Sequence, residues 1–484
     1  MGQARAIFRN TAVLATARII ERTSGLVLTV IISRNLGASG LGVCATVIAY
    51  FGLISLAGEF GATNLIVREL SKDRERTSSY VSHTSLMALT ASGVVMAIAL
   101  LVIPHLGYSA NLRHGLELIV LAVAPGTLNT IQEGVFVAHQ RVEFEAMSTF
   151  VQNVVLVTTS VVLLKTGHGV VSLIVAFVAA EYAVTIAYFV IINRYIAKIR
   201  IVFRLEVARE ILAELKGFAG SSLVAGLFAR PEIIILSLVA GTAEVGYYTG
   251  ASKLVEVFAF IPQVFMINVF PILSRSFHAK DGRAQDIQDM ALKYLLAFAL
   301  PVSAGLFFAA HRIIDTFYKE NFDPAVTLLR ILALSTPIVC LHAVLWRVLA
   351  ARGQQGRVFR VQLVSTSVRL GGGTALIALF NAVGAAISAP ASLLFHVGLL
   401  ARATREDGTR IPVFRLAWRF AAAALIMGGV VLLLSRSVEL WLLILIAAVI
   451  YVALVFAFRA FSAAELAVLK SLVPIRFARV GRTG

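Results

Sequence analysis

The sequence is poor in cysteine and in charge. Its 484 residues include only 2 cysteines, and 14% of the residues are charged. Cys44 and Cys340 both fall inside apolar segments that are predicted to be helical, so the sequence does not predict a disulfide framework. The sequence also lacks the glycine-rich loop ending in Gly-Lys-Ser or Gly-Lys-Thr that cradles nucleotide phosphates. ATP hydrolysis is therefore not predicted for this chain.

Acidic residues are scarce relative to basic ones. The chain has 26 Asp and Glu against 43 Lys and Arg, which gives a formal net charge of +17. If both termini are cytoplasmic, most of the basic residues lie in cytoplasmic connections, where they face anionic lipid. This distribution predicts that both termini are cytoplasmic. It also accounts for the net positive charge without a nucleic-acid partner. The first apolar segment is interrupted by Arg18 and Arg22, which makes it a poor cleavable signal.

Apolar residues are abundant, with 59% hydrophobic residues and a mean hydropathy of +0.87. A run of about 20 mostly apolar residues suffices to span a bilayer as a helix. Such runs recur along the chain and are separated by short polar breaks, and they are too long and continuous for the alternating strands of a membrane barrel. The sequence therefore predicts an all-α integral membrane protein with about 14 transmembrane helices.

A short motif is repeated in the two halves of the chain. Residues 36–42 read LGASGLG and residues 240–246 read AGTAEVG, at an offset of 240 − 36 = 204 residues. The repeat predicts two pseudo-symmetric lobes of six helices each, related by an axis along the membrane normal. The predicted division is an N-terminal lobe over 1–202, a C-terminal lobe over 203–411, and helices 13 and 14 with a basic cytoplasmic tail over 412–484.

Charged residues inside apolar spans are costly in lipid, so they are the candidates for a functional site. Arg18, Glu21 and Arg22 share one face of the first helix by their spacing. Arg230-Pro231-Glu232 predicts a kink beside two charges. Head-group contacts are predicted for Arg18, Arg22, Arg230 and Arg369; ion coupling or charge pairing is predicted for Glu21, Glu59, Glu232, Lys253 and Glu256. The histidines have no metal-ligand spacing, and no metal or cofactor is predicted.

Two longer runs resemble a known family. The first is SRNLG at 33–37 followed by GLG at 40–42, GEFG at 58–61 and VREL at 67–70. The second is VGYYTGASKL at 245–254, followed by Pro262 and FPILSR at 270–275. These runs are similar to the polysaccharide-biosynthesis flippases of the multidrug/oligosaccharidyl-lipid/polysaccharide exporter superfamily, whose other members include multidrug and toxin extrusion (MATE) transporters.

The resemblance implies a flippase that moves an undecaprenyl-pyrophosphate-linked oligosaccharide across the bacterial cytoplasmic membrane. Arginines suit the diphosphate because a guanidinium offers a planar fork of charge-assisted donors. Two lobes rocking about a central cationic cavity would expose it alternately to each side, with the prenyl tail left in lipid. The implied partners are the lipid-linked oligosaccharide and membrane lipids, with a polysaccharide polymerase and chain-length machinery as further candidates.

The sequence also bears on three other functions. A lipid II flippase would share the cationic cavity, and a MATE-type drug/cation antiporter would display mainly acidic charge in the cavity. A membrane polymerase or ligase would need a folded external loop, whereas every predicted external connection is about fifteen residues or shorter. The sequence therefore predicts a transporter and not an enzyme.

Overall fold

A computed structural model describes most of the chain as a bundle of α-helices, and no strand occurs among the described residues. For residues 2–18 it describes the backbone alone. The described ranges are 2–200, 204–215, 231–279, 282–318, 321–406, 408–435 and 437–462, with the single residue Glu465.

The helices follow the apolar runs of the sequence. The first half contains α1 (Gly2–Glu59), α2 (Ala62–Lys72), α3 (Thr77–Val102), α4 (Ala110–Val120), α5 (Val123–Ala138), α6 (Val142–Lys165), α7 (Val170–Tyr195) and α8 (205–215). The rest contains α9 (Pro231–Val239), α10 (Thr242–Ala259), α11 (Ile261–Ala279), α12 (Ala284–Phe308), α13 (Ala310–Phe317), α14 (Pro324–Ala333), α15 (Ser335–Ala351), α16 (Gln355–Glu406), α17 (Val413–Leu434) and α18 (Leu440–Ala457).

The expectation of an all-helical membrane protein is confirmed. Among the described residues, 10 helices are long and apolar enough to cross a membrane, or up to 11 if the bent pair α4–α5 is one span. The 58-residue α1 and the 52-residue α16 each contain a kink, at Gly37 and at Asn381, where the sequence predicts a break between two spans. The total of fourteen spans stays a prediction, partly because residues 216–230 lie outside the described ranges.

The repeated motif has the same backbone geometry in both halves. Gly37 has φ 68° and ψ −170°, and Gly241, at 37 + 204, has φ 82° and ψ 179°. This left-handed φ with extended ψ is accessible to glycine and strained for residues with a side chain. Each glycine therefore turns the chain sharply at the same point of its half, between α9 and α10 and between the two parts of α1.

The two repeats also cross each other at close range. A Cβ added to Gly42 would lie 1.7 Å from the carbonyl oxygen of Thr242, and one added to Gly246 would lie 1.9 Å from that of Ala38. These two contacts are related by the same offset, since 38 + 204 = 242 and 42 + 204 = 246. The crossing of α1 and α10 is therefore locally two-fold symmetric, and only glycine permits backbones to meet so closely.

Packing joins the lobes through a central apolar core. Its buried residues include members of α1, α10, α14 and α16, and also of the appended helices α17 and α18. A separate core lies within the first lobe and includes Leu65, Tyr80 and Ile211. Since Ile211 belongs to α8, this connecting helix packs on α2 and α3 of the first lobe, although it follows the predicted boundary at residues 202 and 203.

The bundle has two distinct ends. We call the end that carries Gly37 and Gly241 the turn end, and the opposite end, which carries Arg68 and Arg76, the basic end. Large apolar side chains such as Ile186 and Val190 on α7 are exposed on the outside of the bundle between these ends, at 63% and 54% of their surface. A solvent-facing helix would not leave such a surface uncovered, whereas lipid accepts it.

Candidate functional site

A polar cavity of about 300 Å³ lies where α1 meets the second lobe. Its lining comes from α1, α9, α10, α11 and α16, so it belongs to both lobes. The lining residues are Arg22, Glu232, Ile233, Tyr248, Ser252, Glu256, Ala259, Phe260, Gln263 and Arg369. A smaller cavity of about 190 Å³ adjoins it, shares Arg22 and Glu256, and is also lined by Glu21, Gly25, Asn153, Lys253 and Val257.

Glu232 and Arg369 form a two-pronged ion pair in the larger cavity. Arg369 Nε donates to Glu232 Oε1 at 2.5 Å, and Arg369 Nη2 donates to Glu232 Oε2 at 2.8 Å. The pair joins α9 to α16, across 137 residues of sequence. The Glu232 side chain is 5% exposed and the Arg369 side chain 30% exposed, so the cation is the more accessible partner. This fork-to-carboxylate geometry is the strongest that arginine makes.

Glu256 on α10 contacts two of the described cations. Arg22 Nη1 of α1 lies 3.4 Å from Glu256 Oε2, and Lys253 Nζ lies 3.1 Å from the same oxygen. The first contact connects the two lobes, and the second is the i, i+3 pair within α10 that the spacing suggests. The three side chains are between 22% and 36% exposed, so this cluster is wetter than the Glu232–Arg369 pair.

The charges that line the two cavities cancel among the described side chains. Arg22, Lys253 and Arg369 are basic, and Glu21, Glu232 and Glu256 are acidic. Two further residues predicted to contact the head group have no described side chain. Arg230 is not among the described residues, and only the backbone of Arg18 is described. The positive excess expected for the cavity therefore stays a prediction.

Glu59 lies apart from the cavities, at the break between α1 and α2. Its Oε1 accepts a hydrogen bond from the backbone N–H of Thr63 at 3.3 Å. The first N–H groups of a helix have no partner within the helix, so a carboxylate at this position stabilises the start of α2. The structure thus brings Glu21, Glu232, Lys253 and Glu256 together and leaves Glu59 in a capping position.

Sequence reasoning missed the uncharged part of the lining. Tyr248, Ser252 and Glu256 are spaced by four residues on α10 and form one polar stripe that faces the cavity. This i, i+4 spacing was a usable signal in the sequence. A buried polar cluster in the first lobe was also missed: Glu181 Oε2 accepts from Asn129 Nδ2 at 2.8 Å, and Glu181 Oε1 from Gln152 Nε2 at 3.2 Å.

An apolar groove of about 450 Å³ lies beside the polar cavities. It runs between α10, α12 and the appended helices α17 and α18, and its walls include Phe258, Met427, Val431 and Trp441. Val257 lines both this groove and the smaller polar cavity. The charged cavity is thus adjacent to the apolar groove. This arrangement suits an amphiphile with a polar head and an apolar tail.

Comparison with known families decides the relationship. A model of the family described as polysaccharide biosynthesis protein matches residues 31–327, which is more than half of the chain. This chain belongs to the polysaccharide biosynthesis protein family. The resemblance inferred from the two sequence runs is thereby confirmed, and both runs lie inside the matched region.

Individual relatives of this polysaccharide biosynthesis protein are distant in sequence. The chain is 22% identical over 405 residues to a probable low-salt glycan biosynthesis flippase, Agl15, of Haloferax volcanii; the match covers 82% of this chain and 83% of the relative. Solved structures with a similar fold include the lipid II flippase MurJ in an inward closed conformation, with a TM-score of 0.78 at 17% identity, covering 94% of this chain and 99% of that one.

A second solved structure with this fold is an inward-facing multidrug resistance MATE transporter of the MOP superfamily. Its TM-score is 0.66 at 13% identity, and the match covers 82% of this chain and 95% of the transporter. At these identities the likeness establishes the fold alone. The family member described here therefore has the MOP, or MATE-like, architecture that the repeat predicted.

Proposed function

We propose that this chain is a flippase that translocates an undecaprenyl-pyrophosphate-linked oligosaccharide across the bacterial cytoplasmic membrane. The observation that carries the proposal is the cavity in which Arg22 of the first lobe and Arg369 of the second lobe line one chamber. A diphosphate cannot cross hydrocarbon without compensation of its charge, and paired guanidinium forks supply that compensation. Membership of the polysaccharide biosynthesis protein family supports the glycan part of the substrate.

The tail of the substrate has a complementary place in the proposal. We assign the apolar groove beside α17 and α18 to the first part of the prenyl chain, because Val257 borders both the groove and the polar chamber. The rest of the chain stays in lipid. Burying each methylene contributes about 0.8 kcal/mol, so even a short stretch of prenyl chain adds substantially to binding.

The movement in the proposal is alternating access between the two lobes. Arg22–Glu256 is a contact across the lobes and lies in the chamber, so it would be made and broken as the lobes rock. In this proposal the basic end and both termini are cytoplasmic, in keeping with the distribution of Lys and Arg. The lobes correspond to residues 1–202 and 203–411, and residues 412–484 are available to a polymerase or chain-length partner.

The test is a flipping assay in proteoliposomes. Protein is reconstituted with an undecaprenyl-pyrophosphate-linked oligosaccharide, and a membrane-impermeant glycosidase measures how fast the glycan reaches the outside. We expect Arg22→Gln and Arg369→Gln each to slow the transfer by about tenfold or more, since each removes a charge-assisted contact to phosphate of about 1.5–3 kcal/mol. Arg405→Gln, at an exposed position of the basic end, is the matched control and should retain the wild-type rate.

Two further arms separate the competing functions. Lipid II in place of the oligosaccharide lipid tests the lipid II flippase, and a lipophilic cation with an ion gradient tests the antiporter. Faster transfer of either one than of the oligosaccharide lipid would replace the proposal with that function. Equal rates in protein-containing and empty liposomes would remove it altogether.

A further inference from the structure

The basic groups that a diphosphate would use already have carboxylates as partners. Glu232 occupies two donor atoms of Arg369, at 2.5 Å and 2.8 Å, and Glu256 contacts both Arg22 and Lys253. A phosphate that enters the chamber must therefore compete with a resident anion for each cation. This feature has no counterpart in a simple cationic binding site, where the cations would face solvent.

The two resident carboxylates differ in the cations that remain beside them after a ligand binds the arginine. Glu256 is 28% exposed and has two cations, so losing Arg22 to a ligand leaves Lys253 in place. The side chain of Glu232 is 5% exposed, and the ion pair that the structure gives it is with Arg369. A carboxylate that is held away from water becomes unfavourable in its charged form when a ligand shares its cation.

The charged groups around Glu232 determine how this unfavourable charge can be relieved. Helix α9 packs against α1, α10 and α16. From these helices the charged and titratable groups that line the chamber with Glu232 are Arg22, Tyr248, Glu256 and Arg369, with Lys253 and Glu21 in the adjoining cavity. Because the charges of the described side chains cancel before a ligand enters, a diphosphate adds uncompensated negative charge to that described set. The simplest relief is a proton on the carboxylate that has lost its partner.

We propose that Glu232 is an internal competitor that a lipid diphosphate displaces from Arg369, and that Glu232 takes up one proton from water when it is displaced. The step is a proton transfer alone, in which Glu232–COO⁻ and H⁺ give Glu232–COOH while Arg369 changes its partner from carboxylate to phosphate. The inference rests on the proposed function and adds a coupling to it: substrate binding is linked to uptake of one proton, and loss of that proton favours release.

Calorimetric binding measurements test the coupling directly. Wild type, Glu232→Gln and the control Glu117→Gln are purified in detergent and titrated with undecaprenyl pyrophosphate in buffers of different ionisation enthalpy, from about pH 6 to about pH 8. The titrations count the protons taken up per ligand. We expect Glu232→Gln to take up about one proton fewer than wild type, and to bind about tenfold more tightly at the alkaline end. Glu117→Gln, at a partly exposed position on α4 outside the lining of both cavities, should keep the wild-type uptake. Protonation of the ligand itself is common to all three proteins and cancels.

The outcomes distinguish this inference from the proposed function. Equal proton uptake in wild type and Glu232→Gln, or weaker binding by Glu232→Gln, overturns the exchange while leaving the flippase intact. If Glu232→Gln does not fold, as judged by gel filtration, uptake by wild type beyond the titration of the ligand alone decides the matter. If inorganic pyrophosphate binds with the same proton uptake, the exchange at Arg369 is supported and the lipid tail is shown not to be needed for it. Absence of binding of both ligands to folded wild type overturns both proposals.

Discussion

The two ends of the helix bundle hold the chain together in different ways. At the turn end the contacts join the two lobes: α1 crosses α10 at Gly42 and Gly246, Arg34 donates to the carbonyl oxygens of Thr316 and Phe317, and Tyr108 bonds to Ser237 at 2.8 Å. At the basic end, ion pairs tie elements of the same half to each other. Arg76 pairs with Glu210 and Arg415 with Asp289, which connect α3 to α8 and α17 to α12.

This difference shows where the bundle resists separation of its lobes. Backbones that meet without side chains between them have a single favourable distance, because a small gap loses the dispersion contacts outright. Ion pairs between long, exposed side chains tolerate several ångströms of movement and contribute little. The turn end is therefore a precise contact between lobes, while the ion pairs of the basic end join α8 to α3 and α17 to α12. The predictions below test that contrast, beginning with the largest expected effect.

Gly246→Ala should damage the turn end most. Its new Cβ would sit 1.9 Å from the carbonyl oxygen of Ala38, so the two backbones would have to move apart. Overpacking of this kind costs about 1–3 kcal/mol, and here no flexible side chain can relieve it. Thermal unfolding of the purified protein in detergent should show a lower midpoint. Gly93→Ala on α3 is the matched control, because no atom lies within 4 Å of its added Cβ. Equal midpoints for the two variants would contradict the close crossing.

Arg34→Ala should loosen the same end by a smaller amount. The side chain donates across the lobes to two carbonyl oxygens at the end of α13, and one such bond to a charged donor contributes about 1.5–3 kcal/mol when shielded and less at this exposed position. Spin labels at the exposed residues His114 and His311 would report a broader distance distribution between the lobes. Arg113→Ala, which removes an exposed pair within α4, should leave the distribution unchanged.

Arg76→Ala should have a local effect at the basic end. It removes the contacts of Arg76 with both carboxylate oxygens of Glu210, each at 3.1 Å, and an exposed pair of this type contributes about 0–1 kcal/mol. Hydrogen exchange should rise in α8, which this pair ties to α3. The distance between the labels at the turn end should stay as in wild type. A change at the turn end would show that the two ends are coupled and would break the contrast.

Much of this architecture follows from local sequence signals. Continuous apolar runs predicted helices, and the matching motifs around Gly37 and Gly241 predicted a repeat. The pairing of Glu232 with Arg369 could not be predicted, since it depends on how α9 and α16 are rotated when they pack. The capping contact of Glu59 could not be predicted for a related reason: nothing in the apolar run indicated that α1 would break there. Local backbone preferences depend on short segments of sequence. The charge state of a cavity depends on side chains from segments that are distant in sequence.

The smallest expected effect concerns pH at the basic end. Hydrogen bonds from Lys72, and then from Arg68, hold the pKa of Glu69 below its ordinary value of 4.5, although partial burial opposes them. A carboxyl whose pKa is lower in the folded protein adds stability that is fully present above the ordinary value and is lost as the pH falls through the lowered one. Glu69→Gln should therefore reduce stability slightly near neutral pH and match wild type in strong acid. Because the group lies near the surface, the difference should be small, and urea unfolding of the two proteins across that pH range would measure it. A difference that grew on acidification would have the wrong sign and would exclude this pair as a stabilising contact of the basic end.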